Sequence, residues 1–524
     1  MVNTKEIKKK GLKGVKTIIF GRTLMVVLAF VIQFLLLTSI YVWLRDYSYI
    51  FYLVFVLLSV TVVLHLFNSS GSPEFKLVWM LPLIIFPVFG ALFYIYINNQ
   101  WGTKILFRRL ETFSVQTRKY APQNVAVKAR LKEKNPQMGH FADYMEVYGN
   151  APVYDHTQVT YYPLGDDQFQ DMLEELKKAE KFIFLEFFIV EEGVMWNSIL
   201  EILKEKAKQG VEVRVMYDGM CVLALLPYFY PKVLEAEGIK CKMFAPIRPV
   251  FSSYYNNRDH RKIMVIDGKV AFTGGTNLAD EYINQKERFG HWKDTAVMLK
   301  GDAVWSMTMM FLHMWNVVNG IQTPIDYAAH SPHAYHPEEF EGSGFVQPFT
   351  DTPLDGETLG ENVYLNIINR AKRYVYICTP YLIIDNEMMT ALCLAAKSGV
   401  DVRIMTPGVP DKKMVFLLTQ SYYAQLIEAG VKIYEYQPGF LHAKSFVCDD
   451  EIAVVGTINL DYRSLYLHFE DGVWIYKNDV IRDILEDFLE TMHYCDPISL
   501  EFCKNRNIFV RGFQSILRVF APLL

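Results

Sequence analysis

The chain has 524 residues, of which 51% are hydrophobic, 15% aromatic and 21% charged. This composition excludes an intrinsically disordered protein, and the apolar excess argues against a purely soluble one. The formal charge of −4 provides no overall basic field that would attract nucleic acid. Seven cysteines without a CxxC pair fit neither a disulfide framework nor a zinc motif.

Three apolar stretches occupy the first hundred residues. Leu24–Leu44, Ser48–Phe67 and Leu77–Ile97 are each about 20 residues long without a formal charge, which matches the hydrocarbon core of a bilayer. The first stretch is too long for a signal peptide and lacks a cleavage site. We therefore assign residues 1–100 to a membrane anchor of two or three hydrophobic helices and expect a multi-pass protein of the cell membrane.

Basic residues flank this anchor on both sides. Six lysines precede it, and residues 101–150 form a basic juxtamembrane linker. The positive-inside rule places both flanks in the cytoplasm, whereas three complete spans would separate them. One stretch therefore does not cross completely: the third, with Pro82, Pro87 and Gly90, is a candidate for a re-entrant or bent segment, and the first is a candidate for lying along the interface. The charges favour a catalytic part that faces the cytoplasm.

From about residue 151 the sequence predicts an α/β protein that is built from a repeat. Phe182–Val190 is similar to Tyr374–Leu382, and Gly210–Met216 is similar to Gly399–Met405. The first pair predicts a buried strand in each copy, and the second pair predicts a helix that ends at glycine and is followed by a strand. We expect two tandem α/β lobes, residues 151–330 and 331–505, related by pseudo-twofold symmetry and preceded by N-terminal transmembrane helices.

The same five-residue pattern occurs once in each copy. A histidine is followed by Lys at +2, Asp at +7, Gly at +14 and Asn at +17. The pattern comprises His260, Lys262, Asp267, Gly274 and Asn277 in the first copy, and His442, Lys444, Asp449, Gly456 and Asn459 in the second. Two copies with identical offsets are strong support for a shared site.

These residue types suit a phosphodiester. Residues two apart in a strand share a face, so each histidine projects with its lysine. One neutral imidazole can attack phosphorus while the other protonates the leaving alkoxide, and the lysines neutralise the phosphate oxygens. Asn277 and Asn459 are candidate phosphate-binding amides. The sequence contains no carboxylate-rich or His-cluster metal site, so we expect neither a metal nor another cofactor.

Four acidic residues have open interpretations. Asp294, 34 residues after His260, and Glu470, 28 residues after His442, are candidates for orienting the histidines, or they are ordinary surface or interface acids. Asp267 and Asp449 belong to the candidate catalytic set by their place in the motif. Their position at the end of a strand nevertheless favours a structural role as turn caps.

Residues 506–524 form an amphipathic C-terminal tail. From Ile508 onward apolar residues recur at spacings of three and four, with Arg511 and Arg518 among them. The tail is either a helix packed on its own domain or an interfacial helix that lies on the bilayer.

With these motifs, the chain resembles the phospholipase D superfamily, whose HxKxxxxD signature both copies carry. Within this superfamily the chain is similar to the bacterial cardiolipin synthases. The similarity lies in sequence segments such as Trp292–Asp294, Thr379–Tyr381 and Tyr434–Lys444. The resemblance implies phosphatidyl transfer between two phosphatidylglycerol molecules, giving cardiolipin and glycerol through a phosphatidyl-histidine intermediate. It also implies that His260 is the nucleophile and His442 the general acid and then base, although the near-equivalent motifs leave the reverse open.

Three other functions remain open at this point. A hydrolytic phospholipase D would use water as acceptor in place of an alcohol, and the sequence separates the two poorly. A nuclease is disfavoured by the apolar stretches and the net charge, so we expect no nucleic-acid partner. A non-catalytic scaffold is disfavoured because His, Lys and Asn are intact in both copies. The expected partners are phosphatidylglycerol and the lipid bilayer, and the sequence does not predict the oligomeric state.

Overall fold

A computed structural model describes Leu35, Thr38, Ser39 and residues 48–98, 101–246, 256–318, 325–331 and 340–523. These residues divide into two compact units. The described residues up to Ile105, together with those from Val519 onward, belong to the first unit. The second unit comprises Leu106–Pro246 and Asn256–Arg518 and contains both copies of the repeated motif.

The first unit contains a small bundle of helices, α1 (Ser48–Asn68), α2 (Pro73–Ile85) and α3 (Pro87–Asn98). Helix α1 coincides with the second predicted apolar stretch. The third stretch is broken at Phe86 into α2 and α3, which pack against each other, as its prolines predict. Gly90 permits this close approach, because a Cβ there would lie 2.4 Å from the carbonyl oxygen of Pro82.

The predicted membrane spans are only partly covered by the structure. Among the helices that the structure describes, none combines the length and apolar character needed to cross a membrane. The first predicted stretch, Leu24–Leu44, lies outside the described residues apart from three of its positions.

The basic linker predicted at residues 101–150 is largely helical, with α4 (Trp101–Thr117), α5 (Val125–Lys134) and α6 (Pro136–Gly149). Asn124 and Asn135 cap α5 and α6, since each side-chain oxygen accepts hydrogen bonds from the first free backbone N–H groups.

The first copy of the repeat contains a seven-stranded sheet. Its elements are β1 (Thr157–Tyr162), α7 (Gly165–Lys178), β2 (Phe182–Phe187), α8 (Val194–Lys208), β3 (Glu212–Asp218), α9 (Tyr230–Ala236), β4 (Lys240–Phe244), β5 (Lys262–Ile266), β6 (Val270–Gly274), β7 (His291–Lys293), β8 (Ala296–Gly301) and α10 (Val304–Val317). The strand order is β1-β8-β6-β5-β2-β3-β4, with β2, β3 and β4 parallel and joined through helices. Helix α10 is buried on almost every side, between this sheet and the second copy.

The second copy contains an eight-stranded sheet. Its elements are β9 (Phe345–Asp351), α11 (Leu359–Arg370), β10 (Tyr374–Cys378), β11 (Leu382–Ile383), α12 (Asn386–Lys397), β12 (Asp401–Pro407), α13 (Lys413–Glu428), β13 (Lys432–Tyr436), β14 (Gly439–Leu441), β15 (Ser445–Cys448), β16 (Ile452–Gly456), β17 (Leu460–Asp461), α14 (Tyr462–Tyr466), β18 (Glu470–Tyr476), α15 (Val480–Met492), β19 (Cys495–Pro497), α16 (Leu500–Lys504) and α17 (Ile508–Val519). The strand order is β19-β13-β12-β10-β15-β16-β18-β9.

The two sheets confirm the predicted duplication. The order β4-β3-β2-β5-β6-β8-β1 in the first corresponds to β13-β12-β10-β15-β16-β18-β9 in the second, and β19 extends one edge. The glycines predicted to close helices do so: Gly210 and Gly399 follow α8 and α12 with φ of 90° and 95°. That left-handed conformation costs glycine little, so each helix stops at the same place before the following strand.

Candidate active site

The two lobes exchange short stretches of backbone immediately beside the motif histidines. Strand β14, which leads to His442, pairs in parallel with β7 of the first lobe. The residue before His260, Asp259, forms a parallel bridge with Phe469 of the second lobe. The backbone N–H of His260 donates to the Phe469 carbonyl at 2.9 Å, and that of His442 donates to the Lys293 carbonyl at 2.7 Å. Each histidine is therefore held by the strand end of the opposite lobe.

The carboxylates that contact the histidines are exchanged in the same way. The Nδ1 of His260 lies 2.9 and 3.0 Å from the two carboxylate oxygens of Glu470, in the second lobe. The Nδ1 of His442 lies 2.6 Å from Oδ2 of Asp294, in the first lobe. The sequence identified both acids, but their order in the chain suggested pairing within each copy. The structure instead places each acid against the histidine of the other copy.

This arrangement presents the same imidazole nitrogen from both histidines. Because Nδ1 faces a carboxylate in each case, it carries the proton as donor, and Nε2 retains its lone pair. Both histidines are buried, and burial lowers the pKa of His260 to about 3 and that of His442 to about 4. With these pKa values both imidazoles are neutral at neutral pH.

The two motif lysines lie buried next to their histidines. The Nζ of Lys262 donates to the His260 carbonyl at 2.6 Å, and Lys444 makes the equivalent bond to His442. Burial lowers the pKa of Lys262 to about 8 and that of Lys444 to about 7. The positive charges of Lys262 and Lys444 repel each other across the lobe boundary, and this repulsion contributes to the lowered pKa of Lys444. Both motifs therefore share one electrostatic environment.

The two motif aspartates lie at the other end of their strands and do not contact the histidines. Asp267 accepts hydrogen bonds from the backbone N–H groups of Glu180, Lys181 and Phe182, each at 2.8 Å. Asp449 accepts the equivalent three bonds at the start of β10, at 2.7 to 2.9 Å. Both carboxylates fix the turn after the motif strand to the start of the central strand, which supports their interpretation as turn caps. A catalytic role for Asp267 and Asp449 stays a prediction.

The two motif asparagines support loops beside the site. The Oδ1 of Asn277 accepts from the backbone of Ile189 at 2.9 Å, and its Nδ2 donates to the Tyr282 hydroxyl at 2.8 Å. The Tyr282 ring in turn packs edge-on against His442. Asn459 donates to Ser464 at 3.0 Å, and its Oδ1 has no hydrogen-bond partner within the described part of the chain. A phosphate-binding role for these amides stays a prediction.

Several residues of the site were not anticipated from the sequence. The hydroxyl of Thr457 donates to Glu470 at 2.5 Å, and the first lobe has Gly275 at the equivalent position. A Cβ on Gly275 would lie 1.8 Å from Oδ1 of Asp294, so the glycine makes room for that carboxylate. Asp471 accepts from Thr273 of the other lobe at 2.5 Å. The alignment of Gly275 with Thr457 was a readable signal of this asymmetry, because each follows a motif glycine.

One group of side chains has the composition of a metal site. His260, His468 and Glu470 bring three potential ligand atoms within 4.8 Å of one another. The Nδ1 of His468 lies 3.6 Å from Glu470 and has no hydrogen-bond partner among the residues described. Glu470 also faces Nδ1 of His260, so an ion held there would share that carboxylate with the histidine.

Comparisons with known proteins are consistent with this geometry. A family model described as "Cardiolipin synthase, PLD-like domain" matches residues 172–315 and 364–492. The chain is 49% identical over 462 residues to an uncharacterized protein of Streptococcus mutans, covering 88% of this chain and 99% of that protein. It is 35% identical to a cardiolipin synthase of a Geobacillus species, covering 90% and 93%. The crystal structure of phosphatidylserine synthase from Haemophilus influenzae has a similar fold, with a TM-score of 0.55 at 15% identity, covering 70% of this chain and 93% of that one.

Proposed function

The chain belongs to the cardiolipin synthase family of phospholipase D-like phosphatidyltransferases, and we propose that its duplicated site joins two phosphatidylglycerol molecules into cardiolipin and glycerol. The observation that carries the proposal is the exchanged pairing of His260 with Glu470 and of His442 with Asp294. It supplies two imidazoles whose Nε2 atoms accept no hydrogen bond from the described residues, one to attack phosphorus and one to transfer the proton in a double displacement.

In the first step the Nε2 of His260 attacks the phosphorus of one phosphatidylglycerol. The bond from phosphorus to the glycerol headgroup breaks, and His442 donates a proton to the departing glycerol oxygen. The bound phosphodiester is an anion, and its charge raises the pKa of His442 above the value of about 4, so that Nε2 takes up a proton from solvent as the substrate binds. The products of this step are free glycerol and a phosphatidyl group on His260.

In the second step the headgroup hydroxyl of another phosphatidylglycerol replaces glycerol. His442, now neutral, accepts the proton of that hydroxyl, and the resulting alkoxide attacks phosphorus. The bond to Nε2 breaks, cardiolipin leaves, and His260 is regenerated. Glu470 stabilises the positive charge that the phosphorylated imidazole carries between the two steps.

Lys262 and Lys444 stabilise the phosphate oxygens in both steps. Each ammonium already lies on the carbonyl of its own histidine and is almost completely buried. The anion therefore meets two cations that require little rearrangement in a poorly solvated site. Asn277 and Asn459 hold the loops next to these groups, and the remaining amide N–H bonds are available to the same oxygens.

The substrate places the enzyme at a membrane. We assign the N-terminal apolar segment to the bilayer as a multi-pass anchor with the site on the cytoplasmic side. The broken third stretch, α2 followed by α3, serves as a re-entrant hairpin, which reconciles the two basic flanks.

Mass spectrometry of lipid products tests the function directly. Purified enzyme in phosphatidylglycerol vesicles is expected to form cardiolipin and glycerol, and a His260→Ala variant is expected to form neither. Phosphatidic acid and glycerol without cardiolipin would make water the acceptor and would refute the synthase.

A further inference from the structure

The C-terminal helix α17 has an unusual distribution of exposed side chains. It buries Gln514 and Leu517, whereas Ile508 and Phe509 are 76% and 83% exposed and Ile516 is 57% exposed. Successive helical residues turn by about 100°, so these three lie on the side opposite the buried Gln514 and Leu517, which faces away from the second lobe. A helix that only packs on its own domain would present polar residues there.

The contacts of the inner side fix this orientation. The amide of Gln514 donates to the Leu417 carbonyl in α13 at 2.9 Å. The guanidinium of Arg518 lies 4.5 Å from the centre of the ring of Tyr422, which also belongs to α13. A polar anchor and a cation–π contact hold the helix to the second lobe, so its apolar side faces away from that lobe.

The charged residues of the tail itself are of one sign, and Lys504 pairs with Glu428 of α13 at 2.8 Å. From Phe502 to the end, the sequence contains Lys504, Arg506, Arg511 and Arg518 and no aspartate or glutamate. A second copy of this helix would meet it with like charge. An anionic lipid surface instead complements the apolar and the basic parts together.

We infer that α17 is a membrane-contacting helix that inserts Ile508, Phe509 and Ile516 into the acyl region of the bilayer that holds the substrate. Arg511 contacts the phosphates of anionic lipids. The other three basic side chains already have partners in the second lobe: Lys504 pairs with Glu428, Arg506 donates to Gln420 and Arg518 packs on Tyr422. This inference rests on the proposed function, which requires a site that reaches lipids while they remain in the membrane. It gives the second lobe its own attachment to the bilayer, separate from the N-terminal anchor.

Fluorescence quenching by brominated lipids tests the insertion in the full-length protein. Cys393, Cys495 and Cys503 are replaced by serine, because they are the described cysteines that are not fully buried. An environment-sensitive dye is attached at Phe509→Cys, and a matched control carries it at Leu394→Cys, on α12, where the native side chain is 58% exposed. Both proteins are reconstituted into phosphatidylglycerol vesicles with brominated acyl chains.

The expected result is that the dye at position 509 loses about half of its emission, while the control loses little. Equal quenching at the two positions would overturn the inference. The inference would also be overturned if the dye at position 509 were shielded in detergent and the shielding increased with protein concentration. In that case a second copy of the protein would cover the helix.

A functional variant distinguishes this inference from the proposed activity. Phe509→Ser with Ile516→Ser is expected to reduce turnover on vesicles by about fivefold and to leave turnover of a soluble short-chain phosphatidylglycerol unchanged. Val194→Ser with Leu394→Ser is the matched control, since both native residues are exposed in the structure. Cardiolipin formation without quenching at 509 would refute the helix alone, and quenching without cardiolipin formation would refute the proposed activity alone.

Discussion

Replacing Glu470 with glutamine tests the exchange of carboxylates between the lobes. The substitution keeps the size of the side chain and removes its charge beside His260. With 2.9 Å between Nδ1 and the nearest carboxylate oxygen, the charge centres of a phosphorylated His260 and Glu470 lie about 4 Å apart. At an effective dielectric constant of about 20 this attraction is about 4 kcal/mol, so we expect kcat to fall about 10³-fold.

The assay compares four variants on a phosphatidyl donor whose leaving group is p-nitrophenol. This group leaves without protonation, so the general acid is dispensable in the first step. His442→Ala and Asp294→Asn are expected to keep a burst of p-nitrophenol, whereas His260→Ala and Glu470→Gln are expected to lose it.

The structure predicts which of the four variants share the same p-nitrophenol burst. Glu470→Gln must behave like His260→Ala, and Asp294→Asn like His442→Ala, whichever histidine is the nucleophile. If Asp294→Asn behaved like His260→Ala, the carboxylates would act within their own lobes and the exchanged geometry would be refuted. Thermal melts of the four variants control for loss of folding.

Three further predictions address the supporting residues. Asp267→Asn should lower the free energy of unfolding by about 3 kcal/mol, because three backbone N–H groups lose a charged acceptor. Activity per folded molecule should stay within about twofold. Calorimetry with active-site titration checks both, and a loss of activity without a lower melting temperature would contradict the prediction. The pKa of Lys444 is about 7, and kcat/KM reports the titration of the free enzyme, so kcat/KM should decline as rising pH removes that proton. Lys444→Arg should move the decline to higher pH, and an unchanged profile would exclude Lys444 as the titrating group. Gly275→Ala should reduce kcat about as much as Asp294→Asn, since the new Cβ displaces the Asp294 carboxylate; wild-type turnover in a folded variant would show that this carboxylate is not needed where it lies.

The duplication and the histidine–lysine pairs were predictable because they are written as local patterns. The offsets of Lys, Gly and Asn from each histidine follow from a strand, a tight turn and a second strand, and the same elements appear in both sheets. The turn role of Asp267 and Asp449 was also predictable, because Asp-Gly and Asp-Asp at the end of a strand are typical of a tight turn.

The pairing of His260 with Glu470 was not predictable from one sequence. Glu470 is 28 residues from His442 and 210 from His260, and chain distance favours the nearer partner. The choice depends on how β7 meets β14 across the lobe boundary, which is a property of tertiary packing. The difference between Gly275 and Thr457 is visible in the sequence, but its reason is not: Asp294 occupies the space beside Gly275, whereas Glu470 accepts from the Thr457 hydroxyl.

The central claim is that a phosphatidyl group is carried by a histidine of the repeated motif. Enzyme quenched in alkali during turnover of the p-nitrophenyl donor, digested and analysed by mass spectrometry, tests it most directly. The expected result is a phosphatidyl adduct on the peptide that contains His260, present in His442→Ala and absent in His260→Ala. Transfer that proceeds at full rate with no adduct on either histidine would contradict the account.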